Sequence, residues 1–331
     1  MEMTLLYLAI SMAIILLAAE LFTNSVEWLG HKLGLGEGAV GSILAAVGTA
    51  MPETMIPIIA ILFSSSDIGH EVGIGAILGA PFMLSTAAFS VTGIAILIFS
   101  RTRGRSTDLV VNRRILGRDM GYFMAVYSLA LIAAFIPVTF VKIGIAVLLL
   151  ALYGRYVMMT MADVSPLTGG ISQLHFLRKS QDPPLAVILV QFFFALGLIV
   201  IAAHMFVGNL EVVSHAIGVP ALVLSLVLAP LATELPEKFN SVLWVRSGKD
   251  TLAMGNITGA MVFQSCIPVA IGLVFTPWHL ETPALVSAVV ALLSTGIVMT
   301  RMTRGDTLNA NILALAGVFY LLYVGYVVFL L

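Results

Sequence analysis

The sequence has little charge. Lys, Arg, Asp and Glu make up 10% of its 331 residues, whereas a soluble globular chain has about a quarter. Hydrophobic residues account for 60% of the chain and the mean hydropathy is +1.08. The few basic residues are scattered rather than gathered into a patch, which argues against a nucleic-acid-binding protein. The composition therefore predicts a polytopic membrane protein with a core built between helices.

Cysteine is almost absent, and other signatures are missing too. The single Cys266 excludes a disulfide framework within the chain. The first apolar run lacks a basic segment before it and a small-residue cleavage site after it, so we interpret it as a membrane span rather than a signal peptide. The motifs contain no arrangement typical of a membrane-embedded enzyme, such as a serine–lysine pair, an aspartyl dyad or a set of zinc-binding histidines. We therefore expect neither an enzyme nor a cofactor.

Apolar runs of the roughly 20 residues that a membrane helix needs occur ten times. Five precede the polar segment 161–184 and five follow it. We predict an all-α polytopic protein of two five-helix halves, 1–160 and 185–331, joined by a cytoplasmic linker at 161–184. The predicted spans are 3–22, 38–63, 72–99, 120–137, 141–160, 185–206, 219–245, 252–275, 282–300 and 308–330.

The two halves carry related motifs. Residues 48–53 read Gly-Thr-Ala-Met-Pro-Glu, and residues 232–237, at an offset of 184, read Ala-Thr-Glu-Leu-Pro-Glu. An offset of 180 then aligns Gly75 with Gly255 and Gly79 with Gly259. Runs of matches at a constant offset indicate an internal repeat, with one copy at about 38–99 and the other at about 219–275.

The basic residues predict the orientation. If the N-terminus is outside, the cytoplasmic loops hold nearly all of them and the external loops hold Lys142. Halves of five spans then insert in opposite directions, so both termini lie outside and the two Pro-Glu motifs approach the midplane from opposite faces. We interpret the six arginines of loop 101–118 as ordinary positive-inside topology, with anionic lipid binding as the alternative.

Each motif places a glutamate one residue after a proline inside an apolar span. A carboxylate in lipid is costly unless it faces a partner or a water-filled path, and a proline frees a backbone carbonyl. Carboxylate and carbonyl oxygens are the ligands of hard cations such as calcium. A pair of such motifs in corresponding positions of two halves therefore indicates the binding site of a transporter.

These residues resemble the cation/calcium exchanger superfamily, and its microbial sodium/calcium exchangers in particular. Each repeat of that family has G-T-S-L-P-E on one helix and G-N-x-x-G-S-N-x-F-[ND] on the next, which correspond here to 48–53 with 75–84 and to 232–237 with 255–264. The resemblance covers essentially the whole chain. It implies that a cation binds between the second, third, seventh and eighth spans, and that the first and sixth spans slide to alternate access.

The resemblance also implies the site residues. Glu53 and Glu237 would coordinate calcium, and Thr49 and Thr233 would add oxygens. The further metal-site candidates are Gln264, Glu234 and Asn256. The chain departs from the family where Ala50, Ala80, Ala260 and Leu84 replace residues with polar side chains, and where Glu234 replaces a serine and Gln264 an acid. These departures put sodium coupling in doubt.

Further residues bear on the charge of the site. Glu234 and Lys238 are four residues apart and share a helix face, which predicts a self-neutralising pair. Alternatively, Lys238 acts as a tethered cation beside Glu237, or extends to an interface. Glu20 and His204 occupy equivalent positions of the first and sixth spans, and are interpreted either as a proton-linked site, because histidine titrates near neutral pH, or as structural residues near helix ends.

The sequence thus predicts a secondary antiporter that exchanges calcium, or a similar divalent cation, for sodium or protons. The alternative is a divergent homologue that carries another cation, or binds an ion without classical sodium/calcium exchange. The expected partners are inorganic cations and membrane lipid, not nucleic acid. The sequence leaves the oligomeric state open, with a monomer as one option. We expect it in a cell membrane, by preference the inner membrane of a prokaryote.

Overall fold

The computed structural model describes residues 1–33, 45–64, 67–162, 172–178, 180–302 and 307–330. Within the described helices, side chains are left out at several positions, which include 45–52, 232, 235–237, 239 and 240. The beginning of the predicted second span and most of the predicted linker 161–184 therefore lie outside the described residues.

The described chain is almost entirely helical. A π-helical segment, Leu84–Ala88, joins α3 to α4, and a 3-10 turn, His175–Leu177, precedes α7. Two short strands, β1 (Asp108–Val110) and β2 (Thr307–Asn309), pair antiparallel. The helices are α1 (Glu2–Lys32), α2 (Ala45–Phe63), α3 (Asp67–Met83), α4 (Phe89–Arg103), α5 (Arg113–Ala134), α6 (Thr139–Ala162), α7 (Leu185–Ile217), α8 (Ala221–Thr233), α9 (Leu235–Arg246), α10 (Asp250–Phe275), α11 (Thr282–Met302) and α12 (Ala310–Leu330).

Eight of the described helical segments are long and apolar enough to cross a membrane. Two shorter apolar helices, Glu53–Phe63 and Ala221–Leu231, fall on the second and seventh predicted spans. The chain is therefore an all-α, multi-pass membrane protein, as predicted. α1 and α7 continue about ten residues beyond the predicted spans 3–22 and 185–206, because their polar C-terminal parts are also helical.

A proline interrupts the seventh predicted span. α8 ends at Thr233 and α9 begins at Leu235, so Glu234 occupies the break with φ −94° and ψ 2°. Pro236 causes this break, because it has no N–H for the carbonyl four residues earlier and its ring clashes with that carbonyl. In the third predicted span, Pro81 lies within α3 just before the π-helical segment. Such π segments are frequent at functional sites.

The helices form three groups. α1 and α7 pack along each other in the most extensive helix contact of the described chain, and both also contact α2. The core group consists of α2, α3, α8, α9 and α10, in which α3 lies along α8 and α10 contacts α2, α3 and α9. The remaining helices, α4, α5, α6, α11 and α12, pack around the core group, chiefly through α10 and α3. This arrangement places the two Pro-Glu motifs at the centre.

Part of the linker is attached to α1 and α7. The Gln191 side chain donates to Asn24 Oδ1 at 3.0 Å and accepts from the backbone N–H of Phe176 at 2.9 Å. The indole of Trp28 donates to the Ser172 carbonyl at 2.9 Å. Lys32 pairs with Asp182 and, chiefly by its hydrogen bond, lowers the pKa of that carboxyl below its ordinary value. These contacts fasten the segment between the halves onto the α1–α7 pair.

Loop 101–118 is also anchored. Arg105 pairs with Asp250, at the start of α10, at 2.6 Å, and the same carboxylate accepts from the Val110 N–H at 3.2 Å. Strand β1 of this loop pairs with β2, and Asn309 donates to Asp108 at 2.8 Å. Because the loop ties α4 to α10 and α12, part of its charge is structural rather than lipid-facing.

Candidate functional site

A narrow cavity lies between α2, α3 and α8, at the centre of the core group. Its empty volume is about 160 Å³, but it is too narrow to hold a water molecule without contact with its walls. Two of its lining side chains carry oxygen, a carboxylate and a hydroxyl, and the others are apolar. The lining residues are Glu53, Ile56, Ala76, Ala80, Ala229, Pro230 and Thr233.

Glu53 and Thr233 come from the two different Pro-Glu motifs. The Glu53 side chain is 5% exposed and Thr233 is 2% exposed. The Thr233 hydroxyl donates to the Ala229 carbonyl at 3.2 Å, so the lone pairs of its oxygen remain able to accept a cation. A buried carboxylate with a hydroxyl oxygen in the same cavity suits a hard cation, which binds oxygen ligands.

Two other predicted ligands are known here by their backbone alone. Thr49 lies on α2, one helical turn before Glu53, and Glu237 lies in the first turn of α9, just after the break at Glu234. Their side chains are outside the described part of the structure. Among the described residues, no group of three or more His, Cys, Asp or Glu side chains is placed to hold a metal ion.

Close packing of α3 on α8 forms one wall of the cavity. A Cβ atom at Gly75 would lie 2.2 Å from the carbonyl oxygen of Leu222, and one at Gly79 would lie 2.2 Å from that of Leu226. Glycines four apart let two helix backbones meet in this way. The counterparts in the second repeat, Gly255 and Gly259, have no such contact among the described atoms, so the two repeats pack differently.

α10 carries two predicted ligands outside the cavity lining. Gln264 is 1% exposed, and its Oε1 has no hydrogen-bond partner among the described residues. Pro268 follows four residues later, so the Gln264 carbonyl also lacks its usual helical donor. The Nδ2 atom of Asn256 is likewise buried without a hydrogen-bond partner in the described part of the chain. Buried polar atoms are usually satisfied, so the Gln264 oxygen is available to a cation or to water, whereas the Asn256 N–H group can donate only to water or another acceptor.

Glu234 and Lys238 form the predicted self-neutralising pair. Lys238 Nζ lies 3.2 Å from Glu234 Oε2 and 2.8 Å from the sulfur of Met83 on α3. Glu234 is fully buried and Lys238 is 7% exposed, so the interpretation of Lys238 as extending to an interface is wrong. Although both were candidates for the site, neither lines the cavity, and they face Met83 at the end of α3 instead.

The structure does not bring Glu20 and His204 to the cavity. The Glu20 side chain is 65% exposed and lies 3.4 Å from His175 Nε2 in the linker. His204 is exposed on α7, with its ring 6.4 Å from that of Phe63. Both positions suit the structural interpretation better than a buried proton site.

One buried carboxylate was missed by sequence reasoning. Asp119 is 2% exposed. Its carboxylate accepts hydrogen bonds from the Thr258 hydroxyl, at 2.9 Å, and from the Tyr156 hydroxyl. Arg118 lies 3.4 Å from it, with its guanidinium over the Tyr156 ring at 5.5 Å. This cluster ties the second repeat's motif helix, α10, to α5 and α6. Asp119 lies immediately before the predicted span 120–137, where hydropathy gives no sign that it is buried.

A discontinuous membrane helix beside a buried carboxylate is typical of membrane transporters. The model of the family "Sodium/calcium exchanger protein" matches residues 3–162 and 187–331. The chain is therefore a member of the sodium/calcium exchanger family.

Individual relatives are distant. "Inner membrane protein YrbG" of Escherichia coli is 22% identical over 276 residues, which cover 83% of this chain and 80% of that protein. "Putative antiporter CaxA" of Alkalimonas amylolytica is 23% identical over 337 residues, covering 96% and 98%. Among solved structures, an H+/Ca2+ exchanger CAX superposes with a TM-score of 0.73 at 16% identity, covering 98% of this chain and 82% of that one. The sodium-calcium exchanger NCX_Mj gives 0.61 at 15%, covering 98% of both. At these identities the likeness shows the fold.

Proposed function

We propose that the chain is a secondary active antiporter that exchanges calcium, or a similar divalent cation, for sodium or protons by alternating access. The observation that carries this proposal is the cavity in which Glu53 of the first repeat and Thr233 of the second lie buried together. A carboxylate in such a place is costly without a cation or another partner. Membership of an exchanger family supports the same activity.

In this proposal Glu53 and Glu237 are the principal ligands, one from each repeat. Thr49, Thr233, Gln264 and Asn256 supply oxygens directly or through water. Calcium takes about 6–8 oxygen ligands, more than the described cavity side chains offer. Backbone carbonyls released by prolines and bound water complete the shell. Glu234 is not among these ligands, because its carboxylate is held by Lys238.

The proposed architecture is ten membrane spans in two inverted five-helix repeats, residues 1–160 and 185–331, with both termini outside and a cytoplasmic linker at 161–184. The distribution of basic residues supports this orientation. A discontinuous helix such as α8–α9 is typical of transporters that bind their cargo near the midplane.

The mobile part of the proposed mechanism is the α1–α7 pair. Each of these two helices contacts the other more than it contacts the core group, and the linker joins them. They can therefore move together across α2, α3 and α8. Such a movement exposes the cavity to one side of the membrane at a time. It is needed because the cavity in the present conformation is too narrow to admit a hydrated ion.

A second candidate function is a divergent exchanger with a different cation. It is favoured by Ala76 and Ala80, which line the cavity where the motif of related exchangers has asparagine and serine. Fewer side-chain oxygens lower the affinity for sodium, whose sites need hydroxyl and amide ligands. A larger or more easily dehydrated cation remains compatible with the same carboxylates.

The test is calcium flux in sealed proteoliposomes that contain the purified chain. Calcium uptake is measured under an outward sodium gradient and, separately, under an outward proton gradient. We expect one of the two to drive uptake. Glu53→Gln should abolish uptake, whereas Glu281→Gln, the same change at an exposed position between α10 and α11, should not. Uptake under neither gradient contradicts the function, and uptake by Glu53→Gln contradicts the site.

A further inference from the structure

A groove runs along the outer surface of the described bundle, between α4 and α9. Its volume is about 260 Å³ and its walls are apolar. Three of its side chains, those of Val91, Ile94 and Ile98, are between 38% and 52% exposed, so the groove opens toward lipid rather than into the core. The lining residues are Val91, Ile94, Ala95, Ile98, Phe99 and Val242.

Exposed arginines follow the groove on both of its helices. Arg101 comes three residues after Ile98 on α4, and Arg246 comes four residues after Val242 on α9. Helical residues three or four apart share a face, so each arginine lies one turn beyond the groove, on the face of its helix that lines it. Both side chains are exposed.

The two arginines stand at the same end of the groove. Arg105, in the loop after α4, donates a hydrogen bond to the Val245 carbonyl near the end of α9, so the two helix ends lie side by side. Two acidic residues of the adjoining segments are already bonded. Asp250 pairs with Arg105 at 2.6 Å, and Asp108 accepts from Asn309 at 2.8 Å. These two carboxylates therefore leave the positive charge at this end of the groove in place.

The length of the groove fits one leaflet of a bilayer. α4 rises about 15 Å from Val91 to Arg101, at about 1.5 Å per residue. The hydrocarbon core of a bilayer is about 30 Å thick, so this rise is about half of it. When Arg101 lies at the level of the lipid headgroups, the groove extends to about the middle of the membrane. A phospholipid of that leaflet has its phosphate and its acyl chains at these same two levels.

A second copy of the chain suits the groove less well than a phospholipid. In a symmetric dimer with its axis along the membrane normal, two grooves that face each other bring both copies of Arg101 and Arg246 to the same level. Like charges placed opposite each other at an interface are costly. A phosphate, in contrast, is a preferred partner of arginine, whose planar guanidinium can bind it through two hydrogen bonds. The charge of the groove therefore favours an anionic lipid.

We propose that the groove between α4 and α9 binds an anionic phospholipid. Arg101 and Arg246 hold its phosphate, and one acyl chain lies along Val91, Ile94 and Ile98. α9 begins with part of the second Pro-Glu motif, so a lipid in this groove contacts a helix of the candidate site and stabilises its position. The proposal is independent of ion exchange, because it concerns a surface outside the cavity.

Native mass spectrometry of the full chain in detergent tests the proposal. The protein is titrated with dioleoylphosphatidylglycerol, which is anionic, and with dioleoylphosphatidylcholine, which has the same acyl chains and no net charge. We expect the first phosphatidylglycerol molecule to bind roughly 10- to 30-fold more tightly, because each basic residue near an anionic headgroup contributes about fivefold in affinity. It should also raise the melting temperature, since a ligand of the folded state stabilises it. Equal affinity for the two lipids would overturn the proposal.

Two pairs of arginines locate the headgroup. Arg101→Gln/Arg246→Gln should weaken phosphatidylglycerol binding by about 30-fold and abolish the preference for it. Arg113→Gln/Arg114→Gln is the matched control, since it removes two exposed arginines at the start of α5, and it should keep the preference. An equal loss in both double variants would mean general electrostatic attraction without a site at the groove, which overturns the proposal.

A second pair of variants locates the acyl chain. Val91→Trp fills the end of the groove far from the arginines and should weaken phosphatidylglycerol binding by about tenfold or more, because each buried methylene contributes about fourfold. Val147→Trp places the same side chain on the surface of α6, where Val147 is 61% exposed, and should bind as the wild type does. Equal binding by the two variants would contradict the proposal.

The same spectra also test the competing occupant. A dimer of the wild type that Val91→Trp eliminates would show that a second copy of the chain fills the groove, and would overturn the proposal. If the variant at both arginines does not fold, the lipid preference of the wild type and the comparison of Val91→Trp with Val147→Trp still decide.

Discussion

The close contact between α3 and α8 gives a specific prediction for Gly79→Ala. The added Cβ would lie 2.2 Å from the Leu226 carbonyl oxygen and 2.8 Å from Cγ of Pro230. A close carbon–oxygen contact between helices is about 3.3–3.6 Å, so the two backbones must separate by roughly 1 Å. The same two helices carry Ala80 and Thr233 into the cavity. A misplacement of about 1 Å can cost roughly 100-fold in rate.

We therefore expect calcium uptake by Gly79→Ala to fall by about 10- to 100-fold, with a stability loss of about 1–3 kcal/mol from overpacking. Gly259→Ala is the matched control, since it occupies the equivalent position of the second repeat. There the nearest described atom, Tyr156 Oη, is 3.5 Å from the added Cβ, which is an ordinary contact. Uptake and the melting temperature in detergent are measured for both variants. Equal behaviour of the two would refute the reasoning.

Three further predictions concern the parts around the core. Thr258→Val removes the hydroxyl that donates to Asp119 at 2.9 Å and should cost about 1–3 kcal/mol, seen as a lower melting temperature that Thr258→Ser does not show. Asn24→Ala removes an acceptor of the linker and should increase proteolytic cleavage within 172–184, compared with the wild type. The pKa of Asp182 is lower in the folded chain than the value of about 3.9 in the unfolded chain. Its pair with Lys32 therefore stabilises the fold at pH values above about 3.9, and this stabilisation is lost as the pH falls through the lower pKa of the folded state. Because the pair is exposed and screened by salt, Asp182→Asn should leave the melting temperature unchanged at pH 7 in high salt, and a fall there would contradict this.

Sequence reasoning succeeded where the signal was local. Apolar runs located the helical segments, and the proline before Glu237 marked the helix break at Glu234. The i, i+4 spacing of Glu234 and Lys238 predicted their ion pair correctly. In each case the interacting groups are close in sequence, so the helical period is enough to bring them together.

The rest depends on contacts between distant segments. Nothing local to residues 108–110 predicts that they pair with 307–309. Asp119 follows a run of arginines, so hydropathy places it in a loop, although tertiary packing buries it beside Thr258. The equivalent glycines of the two repeats look alike in sequence, but those of α3 alone meet a carbonyl closely among the described atoms. Such asymmetry arises from how the repeats fit together, which an internal alignment does not contain.

Isotope exchange tests the central claim most directly. Proteoliposomes are loaded with unlabelled calcium, and uptake of calcium-45 is measured with no sodium, proton or voltage gradient. A carrier with one site that alternates between the two sides should show uptake stimulated by the internal calcium, and Glu53→Gln should eliminate it. Uptake that internal calcium does not stimulate, or that persists in Glu53→Gln, would contradict an alternating calcium site at Glu53.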